Sequence, residues 1–175
     1  MTRLALRFPG HRIAYWASRF ADASSDEIAV AIGSRMRAKG FLTRTDFLRL
    51  CAWKSPRSRR HVERNEEGFV RATTKTALAT PDERLRIEVL TLLQGVDWPT
   101  ASVILHFGHP NPYPILDVRA IWSLGVARPP VYDFPFWWEY TTICRHLARR
   151  QSCTMRVLDR ALWQYSKERQ RKTSR

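Results

Sequence analysis

Residues 93–124, LQGVDWPTASVILHFGHPNPYPILDVRAIWSL, decide the fold. Gly95 can adopt the positive φ that ends one helix and turns the chain sharply into the next. Pro99 suits the first turn of that second helix, because the N–H that proline lacks would have no helical partner there. Asp117 follows a proline-rich loop and is placed to cap a further helix. The stretch therefore predicts two helices joined by a tight hairpin, followed by a carboxylate that opens a later helix.

The rest of the sequence also favours helices. Glycine is scarce, with 7 residues, and the β-hairpin dipeptides Asn-Gly and Asp-Gly do not occur. We therefore expect an all-α protein, with Gly40 ending one of its helices. The predicted helix starts are Ser24 with Glu27, Thr45, and Thr80 with Pro81 and Glu83. The predicted buried stripe of the helix after Thr80 is Leu85, Val89 and Leu92 or Leu93.

The charge balance points to a polyanionic partner. Lys and Arg total 30 against 16 Asp and Glu, which gives a net charge of +14. This charge is spread along the chain, so nucleic acid is favoured ahead of an anionic membrane. Arginine is densest at residues 55–65, SPRSRRHVERN, which include Arg57. That segment is either a solvated helix face or a surface that contacts phosphates.

Cysteine content and hydropathy limit the compartment. The cysteines, 3 in number, form no CxxC pair, so a disulfide framework is not expected. No apolar run approaches the roughly 18 residues of a membrane span, and residues 1–12 are too interrupted for a signal peptide. We expect a cytoplasmic monomer with no membrane partner, associated with the nucleoid if the cell is prokaryotic.

The predicted hairpin can present backbone N–H groups to an anion. Such groups lie in the turn and at the positive end of the second helix dipole. Contacts of this kind hold a DNA backbone without reading its sequence. The residues predicted to bind the backbone in this way are Gly95, Val96, Asp97, Trp98 and Thr100.

Asp117 has two interpretations. An aspartate before a helix is usually only an N-cap, which stabilises the protein by about 1 kcal/mol. Alternatively, its carboxylate acts on whatever the hairpin holds in place. Local sequence alone leaves both interpretations open.

Residues 93–122 resemble the helix-hairpin-helix DNA glycosylases of the endonuclease III and adenine-mismatch type. The signature of that family is L-P-G-V-G, two variable residues, T-A, an apolar helix, a loop and a catalytic Asp. The match covers about a fifth of the chain. The matching residues are Leu93, Gly95, Val96, Thr100, Ala101, Val103, Ile104 and Leu105, and Asp117 falls at the family's spacing from Gly95. The resemblance implies that Asp117 is catalytic.

The resemblance also implies base excision repair by a two-lobed helical fold. A damaged or mismatched nucleotide is flipped out of double-stranded DNA into a cleft between the lobes. Asp117 then stabilises positive charge on the sugar, or orients water, as the N-glycosidic bond breaks. Residues 1–44 and 126–175 are expected to form one lobe, and residues 45–125 the lobe with the hairpin and the catalytic Asp.

The chain departs from the family pattern in ways that refine the expectation. Asp97 replaces the second hairpin glycine, so a negative charge faces the expected phosphate. Pro99 occupies the position of the Schiff-base lysine, which predicts a monofunctional glycosylase without lyase activity. The four-cysteine loop is absent, so no iron–sulfur cluster is expected. A monovalent cation at the hairpin is the one ion that this interpretation allows.

Other candidate residues have weaker signals. Trp53 and Lys54 could line a base pocket, although a core tryptophan beside a surface lysine is the favoured interpretation. Arg119 could pair with Asp117, grip a phosphate or remain exposed. The pair His106 and His109 has metal-like spacing, but no third ligand is near in sequence, so no metal site is expected.

Two alternatives to a glycosylase remain. A non-catalytic helix-hairpin-helix protein would bind DNA through the hairpin and leave the bases intact. A helical domain that binds RNA or protein would carry the motif by coincidence. The sequence favours the glycosylase first and the non-catalytic DNA-binding protein second.

Overall fold

The computed structural model describes residues 4–20, 26–127 and 131–170, and every regular element in these ranges is helical. The predicted all-α class is therefore confirmed for the described chain. The α-helices are α1 (Ile13–Ser18), α2 (Asp26–Lys39), α3 (Arg44–Lys54), α4 (Arg59–Val62), α5 (Glu67–Ala79), α6 (Glu83–Glu88), α7 (Trp98–Gly108), α8 (Val118–Ser123), α9 (Phe134–Arg150) and α10 (Met155–Arg169). Short 3₁₀ helices span Gly10–Arg12, Pro56–Ser58 and Val89–Leu92.

The chain divides into two compact units, Met1–Ala21 with Leu116–Arg175, and Asp22–Ile115. These boundaries correct the predicted lobes, 1–44 with 126–175 and 45–125. Helix α2 packs against α7, so it belongs with the hairpin. Helix α8 packs against α10, so Asp117 belongs with the chain termini instead.

Helix α7 is the central helix of the unit Asp22–Ile115. Its residues from Thr100 to Leu105 are all buried. A Cβ built on Gly33 of α2 would lie 2.1 Å from the carbonyl oxygen of Phe107 in α7, so glycine is what allows the two helices to approach so closely. Arg37 of α2 also donates to that carbonyl oxygen.

Helix α10 organises the unit that contains the termini. It packs against α1, α8 and α9. Its apolar face includes the buried Leu158 and Leu162, and α9 carries the buried Trp137 and Tyr140. Ser123, at the end of α8, donates from its hydroxyl to the Leu162 carbonyl at 2.6 Å. This bond fixes α8, and with it the loop end that carries Asp117, on α10.

Two of the predicted helix starts are wrong. Helix α3 is capped by Thr43, whose hydroxyl accepts from the Asp46 N–H at 3.2 Å, and Thr45 is exposed inside the first turn. Helix α6 is capped by Asp82, which accepts from the Leu85 N–H at 2.6 Å. Thr80 instead accepts from the Asp82 N–H at 3.1 Å, so it shapes the turn before the helix. The predicted box of Ser24 with Glu27 lies partly outside the described residues.

The predicted stripe after Thr80 is wrong at Leu85, half-buried at Val89 and right in its alternative Leu93. Leu85 and Leu92 are 46% and 62% exposed, whereas Ile87, Leu90 and Leu93 are buried. The α-helical period ends at Glu88, where the chain tightens into the 3₁₀ helix Val89–Leu92, so a single 3.6-residue period does not describe this segment. Gly40 ends α2 as predicted, with φ 75° and its N–H donating to the Met36 carbonyl at 2.8 Å.

No helix among the described residues combines enough length with enough apolar character to traverse a bilayer.

Candidate nucleic-acid interface

A tight turn joins the 3₁₀ helix Val89–Leu92 to α7. Residues 93–97 form it, with Gly95 at φ 77°, as the sequence predicted. The Val96 N–H donates back to the Leu93 carbonyl at 3.0 Å, which closes the turn. The first turn of α7 contains Pro99, also as predicted. The described chain therefore has a tight turn between a 3₁₀ helix and an α-helix at this place, and the helix-hairpin-helix motif stays a prediction.

Asp97 serves as the N-cap of α7. Its Oδ1 accepts from the backbone N–H of Thr100 at 3.1 Å and from the Thr100 hydroxyl at 2.9 Å. Thr100 is only 3% exposed, so its hydrogen bonds to Asp97 stabilise the turn from the buried side. The side chain of Val96 is buried as well. The backbone N–H groups of Val96 and Thr100, both predicted to bind DNA, are therefore already engaged, by the Leu93 carbonyl and by Asp97.

Two N–H groups of the turn remain available to an outside acceptor. Neither the Gly95 nor the Asp97 N–H donates to any acceptor in the described part of the chain. Both residues are exposed. Trp98 follows them at the first position of α7 and is half-buried. Unsatisfied, exposed N–H groups at the positive end of a helix are favourable partners for an anion.

Asn65 fastens the turn to the arginine-rich segment. Its side-chain amide donates to the carbonyls of Val62 and Gln94, each at 2.9 Å. Its oxygen accepts from the Gln94 N–H at 2.8 Å. The residue is 4% exposed, so these bonds are shielded from water. Sequence reasoning missed Asn65 because it stands among charged residues that are typical of a solvated loop.

The contact between the turn and α4 leaves no room for a side chain at Gly95. A Cβ built there would lie 2.8 Å from the Cβ of His61 and 2.9 Å from Cγ1 of Val62. Glycine is therefore required both for its positive φ and for this close approach. An open groove of about 530 Å³ follows the turn, with Ser58 and His61 on one side and residues 91–97 on the other.

The arginines beside the turn carry positive charge that the chain does not neutralise. Arg57, Arg60 and Arg64 are exposed, and within the described residues none of them forms a salt bridge. Arg59 differs, because it pairs with Glu63 at 2.6 Å. The sequence left residues 55–65 undecided between a solvated face and a phosphate surface. His61 and Val62 of this segment lie against the turn, and the phosphate surface stays a prediction.

Asp117 is the N-cap of α8. Its Oδ1 accepts from the Arg119 N–H at 2.9 Å, and the residue is half-buried. Pro114, Ile115 and Leu116, which precede it, are buried. The carboxylate is thus held by a buried segment on one side and by a helix start on the other. This placement suits both capping and a catalytic role.

Tyr140 of α9 is a buried polar residue whose pKa depends in part on Asp117. Burial, followed by Cys144, Asp159 and Asp117, raises the pKa of Tyr140 well above its usual value. The phenol therefore stays neutral at physiological pH and can donate a hydrogen bond. The guanidinium of Arg119 lies over the ring of Trp163, 5.3 Å from its centroid.

The structure shows Trp53 and Lys54 half-buried alike, and their roles stay predictions. Trp53 is half-buried and packs edge-on against Phe107 of α7, with ring centroids 5.3 Å apart. Lys54 is the last residue of α3 and is also half-buried. Both belong to the unit that holds the hairpin and Arg57, whereas Asp117 and Arg119 belong to the other unit.

The histidines are engaged in hydrogen bonds within the fold. His106 contacts the Tyr113 carbonyl through Nδ1 at 2.6 Å, and His109 contacts Arg86 through Nε2 at 2.7 Å. Across residues 4–20, 26–127 and 131–170, no group of three or more His, Cys, Asp and Glu side chains could hold a metal ion.

Cys51 and Cys144 are buried free thiols. Burial, with a smaller contribution from Asp97, raises the pKa of Cys51 to about 12. Burial likewise raises the pKa of Cys144 well above its usual value. Such thiols stay protonated at neutral pH, and the thiolate is the nucleophile.

Comparison with known proteins adds no assignment. No family model, no curated protein and no solved structure matches the chain. The resemblance to the helix-hairpin-helix glycosylases therefore stays a prediction that depends on the residues quoted above.

Proposed function

We propose that the protein is a monofunctional DNA glycosylase that holds duplex DNA at the hairpin turn and uses Asp117 to release a modified or mismatched base. The observation that carries the proposal is the turn itself. It combines available N–H groups at Gly95 and Asp97 with the unpaired arginines Arg57, Arg60 and Arg64 on the segment packed against it. Amide donors and guanidinium groups together are the partners that a phosphate backbone favours.

The proposed contacts fix the DNA without reading its sequence. Backbone amides approach a phosphate closely because they have no side chain in the way. Gly95 supplies the positive φ that shapes the turn carrying these amides. The arginines add attraction that should weaken with salt as condensed counterions are released. Asp97 opposes this attraction, since its carboxylate is at the same turn. The proposed binding is therefore weaker than a hairpin with a second glycine would give.

The proposed chemistry needs one carboxylate near the sugar of an extruded nucleotide. As the bond from C1′ to the base breaks, its electron pair leaves with the base and positive charge develops on the sugar. The Asp117 carboxylate stabilises that charge. Water then supplies a hydroxyl to C1′ and a proton to the departing base, and an abasic site remains. Pro99 replaces the Schiff-base lysine of the family, so no covalent route to strand cleavage is proposed.

A panel of lesions tests the proposal. Duplexes that each carry one modified or mismatched base are incubated with the protein, then treated with hot alkali, which cleaves the strand at any abasic site. At least one duplex should be cleaved after alkali, and none should be cleaved without it. A strand break before alkali would contradict the monofunctional assignment, and an intact panel would contradict glycosylase activity.

A second candidate is a non-catalytic DNA-binding protein. The observation that favours it is that the turn, Asn65 and the unpaired arginines all lie within one unit, so binding there needs nothing from Asp117. In that case the whole panel stays intact, while duplex binding falls steeply with salt.

A further inference from the structure

Cations and aromatic rings form a compact cluster on the unit that contains the chain termini. Phe20 and Trp163 pack edge to face, with ring centroids 5.3 Å apart. Each ring carries two cations within 5.6 Å of its centroid. Arg156 and Arg160 lie over Phe20, and Arg119 and Lys167 lie over Trp163. We name these six residues the α10 patch.

The α10 patch includes a stripe along α10, formed by Arg156, Arg160, Trp163 and Lys167. Residues 156, 160, 163 and 167 lie within about 60° of one another around α10, because successive residues turn by about 100°. From Arg156 to Lys167 the stripe is about 16 Å long at about 1.5 Å per residue. That length corresponds to about five nucleotide steps of one strand in a duplex. Arg119 extends the patch to the start of α8, next to Asp117.

The ring of Trp163 holds Arg119 and Lys167 in place without neutralising their charge. A guanidinium that stacks on an aromatic face keeps its N–H donors at the edge, where they can bind an anion. In the described part of the chain, neither Arg119 nor Lys167 forms a salt bridge with a carboxylate. Cations gathered around adjoining rings repel one another, and a row of negative charges would relieve that repulsion.

We propose that the α10 patch is a second nucleic-acid-binding surface, which binds the phosphates of a single strand through Arg119, Arg156, Arg160 and Lys167. Three cations along a stripe of about 16 Å on α10, with Arg119 of α8 beside them, suit a polymer of phosphates better than one small anion. This binding does not depend on the chemistry of Asp117 or on the hairpin, so its test is separate from base excision.

The apolar part of the patch argues against a membrane surface. Phe20 and Trp163 are half-buried, and neither is among the large side chains that protrude from the described surface. A helix that lies on a bilayer instead presents exposed apolar side chains to the acyl region. The rings of the patch are occupied in holding cations.

The test compares two charge-matched double variants of the full chain. Arg160→Gln with Lys167→Gln removes two cations of the patch. Arg12→Gln with Arg169→Gln removes two cations that also lie over rings, Tyr15 and Trp16, and Arg169 is on the opposite side of α10. Binding to a fluorescein-labelled oligothymidylate of about 15 nucleotides is measured by anisotropy across a range of salt concentrations.

The patch variant should bind the oligonucleotide about tenfold more weakly at low salt, and the slope of log K against log salt should fall by about 1.4. The control variant should change affinity by less than about twofold. Arg160→Lys with Lys167→Arg should restore binding, which separates charge from folding. Equal losses in both double variants would overturn the proposal. So would a patch variant that loses binding to phosphatidylserine vesicles but keeps its affinity for the oligonucleotide.

Discussion

Asp97 and Asp117 do the same local job in different surroundings. Each is the N-cap of a helix and accepts a backbone N–H through Oδ1, at 3.1 Å for Asp97 and 2.9 Å for Asp117. Asp97 is exposed and opens α7, the buried central helix of its unit. Asp117 is half-buried and opens α8, a helix of 6 residues. Both hydrogen bonds are those of ordinary caps, and α6, which also has 6 residues, is likewise capped by an aspartate, Asp82.

The difference shows what an N-cap can and cannot indicate about function. The hydrogen bond that Asp97 accepts from Thr100 stabilises the turn, and the negative charge of the Asp97 carboxylate repels a phosphate there. The hydrogen bond that Asp117 accepts from the Arg119 N–H holds its carboxylate at the start of α8. This carboxylate contributes to the raised pKa of the buried Tyr140, and Arg119 is one of the cations of the α10 patch. We therefore expect substitution of Asp117 to affect chemistry and substitution of Asp97 to affect affinity.

The largest expected effect is the loss of excision in Asp117→Asn. Asparagine caps a helix about as well as aspartate, so the free energy of unfolding should change little. The rate of base excision in single-turnover assays should fall by about 10²–10³-fold, because charge on the sugar loses its stabilising anion.

Asp133 provides the matched control for that substitution. It caps α9 in the same unit by accepting from the Phe136 N–H at 2.9 Å, and it is exposed. Asp133→Asn should leave the excision rate unchanged. Equal rates in the Asp117 and Asp133 variants would reduce Asp117 to a structural cap.

The next effect concerns how tightly the turn packs on α4. Gly40→Ala should cost about 1 kcal/mol of unfolding free energy, because alanine tolerates a positive φ poorly and nothing lies within 4 Å of the new Cβ. Gly95→Ala shares that cost and adds about 1–3 kcal/mol, since its Cβ would overlap His61 and Val62. Denaturant unfolding measures both, and equal losses would mean that the turn does not press on α4.

The smallest effect is a gain of affinity in Asp97→Asn. The amide keeps the cap on Thr100 and removes the negative charge from the turn. Duplex binding at low salt should tighten about three- to fivefold, and the gain should disappear as salt screens the interaction. Anisotropy titrations measure it. Unchanged or weaker binding at low salt would place the phosphates elsewhere.

The hairpin was predictable from sequence because its signals are local. Gly95, Pro99 and Asp117 each act within one turn of their own position, and all three occupy the predicted roles in the backbone. The start of α6 was not predictable, because Thr80 and Asp82 are both good caps and the sequence does not rank them.

Features that depend on distant residues could not be predicted. Asn65 forms hydrogen bonds with the backbone of Gln94, which lies 29 positions further on. The α10 patch joins Phe20 to Trp163, and no local pattern brings those residues together. The units themselves followed the packing of α2 on α7 and of α8 on α10, which depends on side-chain fit instead of sequence order.

The central claim is that the N–H groups of the hairpin turn receive a phosphate. Amide chemical shifts of the ¹⁵N-labelled protein, followed as duplex DNA is added, test it most directly. The Gly95 and Asp97 amide protons should move downfield and saturate with the binding isotherm. The Gly40 amide, which already donates to Met36, should not move. Saturating DNA that leaves the Gly95 and Asp97 signals in place would contradict the claim.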